Sequence, residues 1–103
     1  MTFQYQPQVI SGAFTVAGAT STVINMVREF SVSLGGTFNG TVVIERSPDK
    51  GNTWYPCSTD ATGTAASYTS PVSVDVVSLV HPMLYRLRCV SLASGTINWT
   101  MSQ

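Results

Sequence analysis

Few residues in this chain are equipped for chemistry. The single histidine, His81, stands before Pro82 with no partner at ligand spacing, and the two cysteines, Cys57 and Cys89, are far apart in sequence. A zinc site shows paired Cys or His ligands at short spacing. A calcium loop gathers several oxygen ligands within a few residues, whereas Asp49 and Asp60 are isolated from each other. Nucleophile elbow, phosphate loop and dinucleotide fingerprint are all missing. The expectation is a protein that is not an enzyme, with no catalytic residue, cofactor or metal.

The remaining candidates are suited to contact rather than reaction. Arg86 and Arg88 alternate with Tyr85, Leu87 and Cys89, so in a strand the two arginines share one face while Cys89 packs inward with Leu87. They serve either a partner subunit or a pairing with Glu45 or Glu29 across the sheet. Phe3 and Tyr5 alternate with Gln4 and Gln6, a pattern that would lay two aromatics on a neighbour as an added strand. Residues 1–8 are accordingly expected to be an interaction arm, and 9–103 the folded domain. For carbohydrate binding the exposed aromatics would be Tyr5, Tyr55, Tyr68 or Tyr85, with Tyr68, in a polar loop region, the best placed.

Positioning these residues falls to strands. Phe30, Val32 and Leu34 alternate with serines, and Val72, Val74 and Val76 alternate with Ser73 and Asp75. Ile97, Trp99 and Met101 share a face near the end of the chain. Thr41 to Arg46 is rich in β-branched residues and, after Gly35-Gly36 and Asn39-Gly40, is expected to lie beside the Glu29–Leu34 strand in one sheet. Leu84 to Ser91 and Val9 to Val16 read as strands, Thr22 to Met26 as a further short one, and Pro56 marks an edge or bulge after Trp54-Tyr55. Seven to eight short strands with turns between them predict an all-β fold, a single antiparallel β-sandwich of jelly-roll or immunoglobulin-like type.

Composition narrows the partner. The chain has 103 residues, room for one domain, with 44% hydrophobic and only 10% charged residues. Roughly a quarter of it is Ser or Thr, well away from the Glu- and Lys-rich habit of helical proteins. Five basic and five acidic residues cancel, so no field of one sign draws the protein to nucleic acid or an anionic membrane. Near-zero net charge on a charge-poor surface favours association, and a homo-oligomer is expected. No basic region followed by an apolar run opens the sequence, so the cysteines are expected to be two reduced thiols.

Two stretches carry a resemblance. Ser47-Pro48-Asp49-Lys50-Gly51-Asn52-Thr53-Trp54 resembles the Asp-box hairpin S-x-D-x-G-x-T-W. Asp49 would accept local N–H bonds, Gly51 would take positive φ, and Trp54 would anchor the turn in the core, with Ser47 and Thr53 completing a structural turn. The run Gly36 to Ser47, then this hairpin, Leu84 to Cys89 and Ser94-Gly95-Thr96, is similar to small β-sandwich virion proteins of tailed bacteriophages. That resemblance implies a virion structural protein made in the host cytoplasm, foremost a capsid decoration (cement) protein that bridges major capsid subunits. A tail, baseplate or head-to-tail connector subunit is the runner-up, and a carbohydrate-binding sandwich is the alternative of another class.

Overall fold

Phe30, Val32 and Leu34 are buried while the serines between them are partly exposed, as extended backbone requires when one face of a sheet meets the core. The computed structural model describes residues 9–25, 30–57, 66–76 and 83–102. Among these, all regular structure is extended: β1 (Val9–Phe14), β2 (Ile24–Asn25), β3 (Phe30–Gly35), β4 (Phe38–Ser47), β5 (Tyr55–Pro56), β6 (Ser67–Tyr68), β7 (Val72–Val76), β8 (Leu84–Gly95) and β9 (Ile97–Ser102). The described strands number nine rather than the seven to eight expected, because one edge of β4 is lined by two short segments, β5 and β6, where a single strand was anticipated.

All described pairings are antiparallel. One sheet has the order β1-β9-β3-β7; the other runs β2-β8-β4, with β5 and β6 beyond β4. Each step along the chain changes sheet, except β4 to β5 to β6. The expectation that Phe30–Leu34 and Thr41–Arg46 are sheet neighbours is therefore overturned: β3 lies beside β9 and β7, and β4 beside β8. Gly35-Gly36 does break the strand, but the chain then crosses to the opposite sheet instead of folding back as a hairpin.

The second crossing, from β8 to β9, runs against the first. Gly35 pairs with Asn98 on one side of the corner and Phe38 with Gly95 on the other. The segments β3–β4 and β8–β9 thus form one long antiparallel ribbon folded between the sheets. Gly36 and Gly95 both have positive φ, 94° and 85°, where a side chain is strained. Thr96 N–H donates to the Thr37 carbonyl at 3.2 Å. A Cβ on Gly36 would stand 2.6 Å from the Thr96 carbonyl oxygen, and one on Gly95 would run into that of Thr37. Two register shifts in the β4–β8 ladder, between Asn39 and Gly40 and between Thr41 and Val42, lie next to the corner; such bulges bend and twist a ribbon.

The inner faces of both sheets contribute to one core that includes Phe14, Phe30, Val42, Ile44, Tyr85, Leu87, Ile97, Trp99 and Met101. Phe30 of one sheet meets Tyr85 of the other edge to face, centroids 4.9 Å apart. Trp99 tilts over Phe14 at 6.0 Å. Cys57 and Cys89 are buried and not joined by a disulfide. Burial raises the pKa of both thiols, with Arg46 opposing the shift at Cys57.

The corner makes a sharp comparison of two substitutions. Gly18 also has positive φ, but a Cβ there meets nothing within 4 Å. Gly18→Ala should cost about 1 kcal/mol from backbone conformation alone, whereas Gly95→Ala should cost about 2–4 kcal/mol because backbone must move. Urea unfolding of the two variants reads the difference; equal losses would refute a shared, glycine-dependent corner.

Candidate functional site

The two outer faces have opposite chemistry. On the sheet containing β4 and β8, Val43, Glu45 and Ser47 oppose Arg88, Arg86 and Leu84 in register, and alternate with the inward Val42 and Ile44. Glu45 is only 6% exposed although it belongs to this outer face. Its carboxylate accepts from Arg86 Nε at 2.9 Å and lies 3.7 Å from Arg88 Nη1. Arg86 in turn places its guanidinium 4.2 Å from the centroid of the Trp54 ring, a cation–π distance. Trp54, Arg86, Glu45 and Arg88 therefore form one connected row. Of the two readings of the arginines, the pairing with Glu45 is present; Glu29 lies outside the described residues.

The hairpin beside this row is held by its own side chains. Ser47 Oγ donates to Asp49 Oδ1 at 2.7 Å and accepts from Gly51 N–H at 2.8 Å. Thr53 N–H donates to Asp49 Oδ1 at 2.8 Å. Lys50 and Gly51 have φ of 63° and 92°, which brings the chain round within this short span. The hydrogen bonds from Ser47 and Thr53 stabilise the ionised carboxylate and hold the Asp49 pKa below its ordinary value.

Trp54 does not anchor the core. It is half-buried and packs on the outside of the sheet against Arg86, while the core tryptophan is Trp99, 5% exposed. The inner surface at this end is filled by Tyr85, Ile44 and Met83, which leaves the indole the outer face and a cation to cover it. Tyr85, a sugar-contact candidate from sequence, is a core residue at 1% exposure. Tyr68 is half-buried against the core, and burial, then nearby Cys57, raises its pKa. Tyr55, 52% exposed, is the open aromatic among the described residues. Phe3 and Tyr5, with the whole proposed arm, lie outside the described residues.

The other sheet turns a charge-poor face outward. Ser11, Thr100, Ser33 and Ser73 stand in register across β1, β9, β3 and β7; Val9, Ser102, Ser31 and Asp75 form the row beside them, and Ala13, Asn98 and Gly35 a third. Their chain neighbours Trp99, Met101, Val32 and Leu34 point into the core. Ser33 and Ser73 bond to each other at 2.8 Å, and Ser31 bonds to Ser102. Asp75 is the one charged residue in the four strands of this sheet, whereas Glu45, Arg46, Arg86 and Arg88 all sit on the opposite one. Sequence reading noted the Ser/Thr content but not this segregation, whose signal is the alternation of small hydroxyl residues with apolar ones in β3 and β9.

Two measurements test these assignments. Trp54→Ala should cost about 1–2 kcal/mol, the scale of a cation–π contact with partial burial, and Trp99→Ala about 3–5 kcal/mol; thermal unfolding showing the reverse order would refute them. The depressed Asp49 pKa means that its contribution to the turn is present above the ordinary aspartate pKa and lost as pH falls through the folded value. A carboxyl-carbon NMR titration should show a midpoint below the ordinary value, returning upward in Ser47→Ala.

No family model matches the chain, and no curated protein does. Among solved structures the chain is similar to the crystal structure of the SPBc2 prophage-derived protein YomS, with a TM-score of 0.65 over 99% of this chain and 98% of that one. Sequence identity is 13%, so the likeness is one of fold.

Proposed function

We propose that this chain is a structural subunit of a bacteriophage particle, a capsid decoration protein that seats on the head lattice and bridges major capsid subunits without catalysing a reaction. The observation that carries the reading is the charge-poor outer face of β1, β9, β3 and β7. Protein–protein contact centres are depleted of charge, and small side chains in flat rows let another surface approach closely. The fold likeness to a prophage-derived protein over nearly the whole chain supports the same reading, as does the resemblance of the strand and hairpin motifs to those of tailed-phage virion proteins. The strand order β1-β9-β3-β7 against β2-β8-β4-β5, with chain crossings between the sheets, supports the jelly-roll alternative over the immunoglobulin-like one.

Each contact in such a subunit is modest, and strength comes from several equivalent contacts on a repeating lattice. A tail, baseplate or connector position uses the same surfaces and is the second reading within this class. The carbohydrate-binding reading is less well supported, because Tyr55 stands without a second open aromatic among the described residues and Trp54 gives one ring face to Arg86.

Purified protein mixed with expanded heads, and separately with tails, of a phage encoding it should co-sediment with the heads in fixed stoichiometry and raise their disruption temperature. Co-sedimentation with tails alone would move the subunit to the tail. Binding to neither would overturn the virion reading.

A further inference from the structure

The sheets end in edge strands, and among the described terminal strands all but one are guarded against pairing by recognisable means. β5 contains Pro56, and β2 and β6 have two residues each. β7 is entered from Pro71 and carries Asp75. β1 has none of these guards. Its six residues, Val-Ile-Ser-Gly-Ala-Phe, are all paired to β9 on one side, and among the described residues no strand pairs with the other side. Val9, at 67%, and Val16, at 62%, are the most exposed large hydrophobic residues among the described ones. No charged residue precedes Arg28 in the sequence.

We propose that β1 pairs with β1 of a second copy of this chain, antiparallel across a two-fold axis. The inference rests on the reading of the chain as an assembling subunit and names one contact by which it assembles. Two-fold pairing of a strand with itself is demanding, since any charge near the axis confronts its own duplicate. β1 satisfies the demand because its outward side chains, Val9, Ser11 and Ala13, are uncharged and two of them are small. The pairing satisfies the open main-chain groups of both edges and joins two four-stranded sheets into one eight-stranded sheet. The charge-poor rows that start at Val9, Ser11 and Ala13 then continue from one copy into the next as a single wide surface.

Sedimentation velocity over a concentration series should show a reversible dimer for the wild type. The Ser11→Lys/Ala13→Lys variant changes only outward side chains, so it should keep the wild-type unfolding midpoint yet sediment as a monomer. The Ser11→Glu/Ala13→Glu variant should behave alike, and an equimolar mixture of the two should recover the dimer through opposite charges across the axis. If the lysine variant is destabilised, the mixture with the glutamate variant still decides, because recovery requires strand contact between copies. A monomeric wild type at all concentrations, a dimer indifferent to both variants, or a mixture that stays monomeric would overturn the pairing. A monomer whose β1 amides gain hydrogen-exchange protection only on phage particles would also overturn it, and assign the edge to another protein's strand. Head binding is scored separately: a wild type that dimerises but binds no particle sinks the virion reading and leaves the pairing standing.

Discussion

At the corner where β3 passes into β4 and β8 into β9, main chain lies directly on main chain. The contact involves the carbonyls of Thr37 and Thr96 and the alpha carbons of Gly36 and Gly95, so no rotamer change can relieve an added side chain. The relative position of the two sheets at this end is set by atoms with almost no freedom to yield. Phe30 reaches Tyr85, and the inner rows of β3 and β9 face those of β4 and β8, because one ribbon supplies the central strands of both sheets. The remaining strands are additions to its flanks.

That construction also sorts the charges. The β4–β8 half of the ribbon carries Glu45, Arg86 and Arg88 in adjacent cross-strand positions, and the hairpin after β4 brings Trp54 onto the same row. Burying a carboxylate on an outer face is unfavourable without partners, and two guanidinium groups supply them here. The β3–β9 half carries hydroxyl and small residues, several bonded to one another. One sheet therefore carries the ion pairs on its outer face, and the four described strands of the other carry a single charge, Asp75.

Period-two patterning made much of this legible. The strands around Phe30, Val72, Leu84 and Ile97 were all readable, together with their inward faces, since alternation reports which side chains share a face. Alternation carries no information about which strand lies alongside, and Gly35-Gly36 looks the same whether a chain folds back or crosses over, so the pairing of β3 with β4 was misread. Trp54 was misjudged because aromatic bulk argues for burial but not for which face of the sheet receives it. The link from the arginines to Glu45 was legible as one of two options. Its depth of burial was not, as it arises from Arg86, Trp54 and strands remote in sequence.

The register of β1 with β9 places Val9 opposite Ser102, so the chain enters and leaves the described fold at the same end of the same sheet. A pulling force applied between these two points would load the ladder one bond at a time, like a zipper, instead of shearing all its bonds together. The domain is mechanically soft along that line. The β4–β8 ladder would unzip in the same way if pulled between Phe38 and Gly95, whereas a pull between Phe38 and Leu84, at its opposite ends, would load all its bonds together.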